Sequence, residues 1–115
     1  MANTFKVVTK AGVTSADVIY TVASSTTTVV LGMMVGNTTT GQITATVTLT
    51  SDTSNRSGAN NEANQTVELV TTAPIPVGGA VELLSGNKVG METTDTLTLT
   101  ATGAADIALS IMEIT

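Results

Sequence analysis

Residues 42–50, "QITATVTLT", decide how this chain folds. Ile43, Ala45, Val47 and Leu49 alternate with Thr44, Thr46, Thr48 and Thr50. A strict period of two places one set of side chains on each face of an extended strand, here an apolar face for a core and a hydroxyl face for solvent. The stretch "DTLTLTAT", 95–102, repeats the pattern with Leu97, Leu99 and Ala101 against Thr96, Thr98, Thr100 and Thr102. Weaker alternation occurs at 4–9, at 17–23 (Val18, Tyr20 and Val22 on one side), at 66–71, at 80–84 and at 88–92. In "ADIALSIMEIT", Ile107, Leu109 and Ile111 share one face, whereas Met112 and Ile114 break from that apolar stripe. Helical periodicity is almost absent.

The stretch "TTTVVLGMMVGNTTT", 26–40, needs a different reading. Its seven residues 29–35 lack polar side chains, far short of the roughly 20 that a membrane-spanning helix requires. A short apolar run bounded by turn residues fits a strand covered on both faces. Its adjacent Met33 and Met34 must then point to opposite sides. One enters the core, and the other meets a second layer, solvent or a neighbouring subunit, a task to which the adaptable thioether is suited.

Turn chemistry spaces these runs at about 8–12 residues, which predicts an all-β antiparallel sandwich, jelly-roll-like, with about seven to nine strands. "VASSTT" joins the second and third strands, and "GNTTTGQ" offers Gly36, Asn37 and Gly41 for positive φ. "APIPVGG" carries two prolines, which are unsuited to a central strand and so mark a connection. "SGNK", 85–88, reads as a tight hairpin loop, and "TGAAD", 102–106, as another. Residues 1–115 form one domain, with a long aperiodic surface loop at 51–65, "SDTSNRSGANNEANQ".

Composition narrows the function. With no cysteine and no histidine, thiol chemistry, disulfides and imidazole catalysis are excluded, and the nine acids and four bases form no catalytic constellation. The chain is therefore not expected to be an enzyme, and no cofactor or metal site is expected. Asp52, Asn60, Asn61 and Glu62 could be imagined around calcium, but their spacing does not fit an EF-hand loop. A net charge of −5 leaves no basic stripe for nucleic acid, no bilayer-spanning segment is present, and the N-terminus lacks the pattern of a secretory signal. Three Asn-x-Ser/Thr sequons, at Asn37, Asn55 and Asn64, are what chance gives in so Thr- and Asn-rich a chain. One Phe, one Tyr and no Trp give sugars little to stack on, although a glycan-binding sandwich module remains an alternative. Charged residues make up 11% of the chain, against about 25% in an ordinary domain; roughly 25 threonines supply the polarity instead.

The segment "DVIYTVASSTTTVVLGMMVGNTTTGQITATVTLTSD", 17–52, resembles small structural proteins of tailed bacteriophages, particularly marine cyanophages. In these, a strand ending near "YTVP" precedes a Ser/Thr turn, a "TTVVLG" strand, "NTT" and an alternating "VTVTL" strand. "APIPVGGAVELLSGNKVGMETTDTLTLTAT", 73–102, and the closing "LSIMEIT" continue the resemblance. It runs from about residue 5 to the C-terminus and departs at Ala23, where proline is more frequent. The resemblance implies a virion component made in the host cytoplasm: a capsid decoration or neck/collar protein, or alternatively a tail or fibre accessory. It also implies homo-oligomeric assembly against capsid, portal or tail chains, and brings no catalytic residues. The interface candidates are Met33 or Met34, Met112 and Ile114, together with Asn55, Arg56 and Asn60 in the long loop.

Overall fold

The computed structural model describes residues 2–51, 65–84 and 87–115. Among the described residues, nine strands form two sheets: β1 (Asn3–Val13), β2 (Asp17–Thr21), β3 (Thr27–Asn37), β4 (Ile43–Ser51), β5 (Gln65–Ile75), β6 (Ala80–Glu82), β7 (Val89–Met91), β8 (Thr96–Ala101) and β9 (Ala105–Ile114). Sheet A runs β1-β9-β3-β6, with β7 also on β3, and sheet B runs β2-β8-β4-β5. Every pairing is antiparallel. With β6 and β7 counted as one interrupted strand, the partners nest: first with last, second with second-last, and so inward. This is the strand order of a jelly roll.

The alternation read in the sequence is what the packing uses. Ile43, Ala45 and Val47 of β4, Leu97, Leu99 and Ala101 of β8, and Ile107, Leu109 and Ile111 of β9 are all buried between the sheets. Val30, Met33 and Val35 of β3 join them. A bulge between Val30 and Gly32 resets the alternation, so the inward set shifts from even to odd numbers along β3.

Several connections differ from the sequence reading. "TGAAD" is not a hairpin: β8 belongs to sheet B and β9 to sheet A, so the segment carries the chain across the sandwich. The strands flanking "SGNK" form no hairpin either, because β6 and β7 pair with β3 and not with each other; Ser85 and Gly86 of that stretch lie outside the described residues. Tight-turn residues mark a reversal without saying which strands flank it. β5 continues to Ile75, with Pro74 opposite Thr44. The proline is tolerated because β5 is an edge strand, where a missing N–H breaks no second ladder. In β2, a register shift between Val18 and Tyr20 disrupts the expected one-sided row, leaving Val18 exposed and Val22 buried.

Asn37 has a different role from the one expected. It stays within β3 and is buried, and it acts through its side chain. Its Nδ2 donates to the carbonyls of Gly41, Ile75 and Pro76 at 2.8, 3.0 and 3.2 Å. Its Oδ1 accepts from the N–H and hydroxyl of Thr39 at 2.8 and 2.7 Å. One amide thus ties the β3–β4 crossing to the end of β5. Among the described residues, positive φ falls at Gly12, Gly78, Ser25, Thr72 and Thr94, and not at Gly36 or Gly41.

Candidate interaction surface

The two outer faces of the sandwich have opposite chemistry. On sheet B, Thr46 lies opposite Thr100, Thr48 opposite Thr98, and Thr50 opposite Thr96. The row extends to Thr66 of β5, whose hydroxyl lies 3.1 Å from that of Thr50. This face is mostly hydroxyl and methyl groups, with Glu68 opposite Thr48 and Val18 opposite Thr98 in the same row.

Sheet A turns outward a different set. Register alone places Phe5, Met112 and Val29 in one cross-strand row, and Asn3, Ile114 and Thr27 in the next. Further along lie Val7 beside Ser110, then Thr9, Ala108 and Met34. Phe5 is 72% exposed, Val7 67% and Met34 48%, with Met112 and Ile114 half-buried among them. Exposed large apolar residues on one face mark a surface that another molecule covers more often than scattered ones do. Val18, Val67 and Val77, also exposed, are dispersed over β2, β5 and the turn after β5.

Met33 and Met34 part as expected. Met33 is 1% exposed within the core, and Met34 stands on the outer face. Of the sequence candidates, Met34, Met112 and Ile114 are brought together on sheet A, whereas Met33 is removed from any surface. Asn55, Arg56 and Asn60 lie outside the described residues, as does the imagined calcium group. Phe5 and Val7 were missed. The weak alternation at 4–9 does not say which side is buried; Lys6 and Lys10 share the other side of the strand, and those lysines make the inward partnerships.

Lys6 Nζ lies 2.7 Å from Glu113 Oε1, and Lys10 Nζ lies 3.6 Å from Asp17 Oδ2. Glu113 also accepts a 2.6 Å bond from the Tyr20 hydroxyl, which sits 2.7 Å from Thr28 Oγ1. Hydrogen bonding from Lys6, then from Tyr20, holds the Glu113 carboxyl below its ordinary value. Burial, reinforced by the bond to Glu113, pushes the Tyr20 phenol up to about 12. Tyr20 is thus a half-buried strut between the sheets, packed against the core.

At the far edge of sheet A, Glu82 fills the break between β6 and β7. Its carboxylate accepts from Met33 N–H at 3.3 Å and from Leu84 N–H at 2.8 Å, and Leu83 N–H donates to the Met33 carbonyl at 2.9 Å. A side chain stands in for missing strand backbone.

A shallow depression of about 380 Å³ lies on the same outer face, lined by residues that include Thr9, Lys10, Met34, Asp106 and Ala108. Its one carboxylate, Asp106, accepts from Gly12 N–H at 3.0 Å, and no aromatic ring lines it. Among the described residues, no group of three or more acidic side chains is placed to hold a metal ion, and no helix is long and apolar enough to cross a membrane.

No protein-family model matches the chain, and neither does any curated protein. A solved structure with a similar outline comes from work describing Bacillus endospore appendages as a novel family of disulfide-linked pili. It is 16% identical over 96% of this chain and 85% of that one, with a TM-score of 0.42.

Proposed function

We propose that this chain is a structural subunit of a tailed-phage virion, a capsid decoration or neck/collar protein, acting through protein–protein contacts made by the outer face of sheet A. The observation that carries the reading is the asymmetry between the two outer faces. Phe5, Val7, Met34, Met112 and Ile114 share one face, and threonine hydroxyls dominate the other. Water solvates the hydroxyl face at no cost, while the apolar face gains about 25 cal/mol for each Å² that a partner covers. The phage assignment rests on the sequence resemblance across residues 17–52 and 73–102. The partner is a capsid, portal or tail chain, and the subunit is present in several copies. A tail or fibre accessory would use the same surface.

Mass spectrometry of purified particles tests the assignment, combined with an incorporation assay using Phe5→Asp and Met34→Lys. The expected result is recovery of the chain in particles at many copies, with incorporation lost in both variants while their circular dichroism is unchanged. Absence from particles, or normal incorporation of the two charged variants, overturns it.

A further inference from the structure

A sandwich has four sheet edges, and each is a potential pairing template unless something blunts it. Three are blunted here. β2 is five residues long and bulged. β5 carries two register shifts, Thr72 at φ 45° and Pro74. β6 and β7 are three residues each, with a gap between them. β1 differs: Asn3 to Lys10 run in unbroken register with β9, from Asn3↔Ile114 to Lys10↔Ile107, before the chain turns at Gly12 with φ 68°.

The backbone phase of that edge follows from one pair. Ala2 and Thr115 exchange both hydrogen bonds, at 3.0 and 2.9 Å. Residues in an antiparallel ladder alternate between bonded and non-bonded pairs, so the even-numbered residues of β1 bond to β9. The odd ones, Asn3, Phe5, Val7 and Thr9, turn their N–H and C=O groups to the open edge. Inward-pointing lysines commonly protect such an edge, but Lys6 and Lys10 are each engaged by an acid of their own chain.

We propose that β1 is the assembly edge, and that a second copy of this chain pairs its β1 antiparallel to it about a twofold axis at Val7, joining two sheets A into one. The occupant follows from self-complementarity, because a twofold contact requires a strand to match itself. Keeping outer face with outer face restricts the facing residues to pairs whose numbers sum to an even value. A sum of 12 sets Lys6 against Lys6, and a sum of 16 sets Lys6 against Lys10; like charges directly opposite are destabilising. A sum of 10, centred on Phe5, overlaps only Asn3–Val7 of β1. A sum of 14 overlaps Asn3–Ala11, sets Val7 on Val7 and Phe5 on Thr9, and places both lysines opposite uncharged residues. All its outward-turned backbone groups then meet outward-turned groups.

This proposal rests on the assembly reading above but names a different contact, strand edge and not sheet face. The merged sheet would present two Phe5 and two Val7 side chains as one apolar surface twice as wide.

Light scattering and cysteine cross-linking of the full chain test it, the chain having no cysteine of its own. The expected mass is about twice the 11.6 kDa of one chain, falling to a single chain in Val7→Lys, with circular dichroism unchanged. A hydrogen-bonded antiparallel pair holds its Cα atoms about 5.5 Å apart, within the reach of a disulfide. Oxidised Val7→Cys should therefore give covalent dimers, and Phe5→Cys should not. A monomeric folded protein overturns the proposal, as does a dimer indifferent to Val7→Lys or one that cross-links through Phe5→Cys. Recovery of the chain from particles in those cases would leave the virion assignment standing.

Discussion

The hydroxyl of Tyr20, on sheet B, donates to the carboxylate of Glu113, on sheet A, across 2.6 Å. The same carboxylate holds Lys6 of the edge strand β1. One acid therefore connects both layers and steadies the strand at the open edge.

Acid should weaken the protein through this group. The folded carboxyl of Glu113 sits below its ordinary value of 4.5. Its contribution is therefore complete above pH 4.5 and is lost as pH falls through the lower folded value. Thermal unfolding between pH 7 and pH 2 should show a loss that Glu113→Gln lacks. An identical acid profile in the variant would exclude this origin.

Alkali acts through the partner. Tyrosine ionises near 10 when unfolded, and Tyr20 holds its proton to about 12 in the fold. A raised folded value means full stability below pH 10, drained as pH rises toward 12. Tyr20→Phe should abolish that window and cost about 1 kcal/mol at neutral pH, the usual value of one such bond. Melting temperatures at pH 8 and pH 11 measure both effects.

Glu82→Ala should destabilise the chain by about 1–2 kcal/mol, because it strips the Met33 N–H of its acceptor where no strand backbone replaces it. Amide exchange at Met33 and Leu84 should accelerate. Protection equal to that of the unmodified protein would show that the carboxylate is dispensable.

Leu109→Ala and Met33→Ala delete fully enclosed side chains and should each cost about 2–5 kcal/mol. Met34→Ala, one residue away on the outer face, should change stability by less than about 0.5 kcal/mol. Denaturant midpoints for the three variants check the division of Met33 from Met34.

Period two was enough to find β4, β8 and β9 and to name their buried faces. Tertiary context decided the rest. Phe5 and Val7 look like core by polarity, but β1 lies at an edge where Lys6 and Lys10 can reach across to acids, so the apolar pair faces out. The bulge in β3 cannot be foreseen from "VVLGMM", although Gly32 marks the place. "TGAAD" and "SGNK" have the composition of hairpin turns, and only the nested pairing shows that the strands flanking each do not pair with one another. At the proposed surface, Met34, Met112 and Ile114 were legible because each interrupts an apolar alternation. Glu82 and Tyr20 were not, since their value lies in partners far along the chain.

The placement of β9 between β1 and β3 sets the order of events at the ribosome. Until the segment 105–114 has left the exit tunnel, the first strand has no neighbour to zip against. Sheet A therefore closes only once that segment has emerged, and a transcript cut short of it should yield a product that chaperones retain and proteases remove.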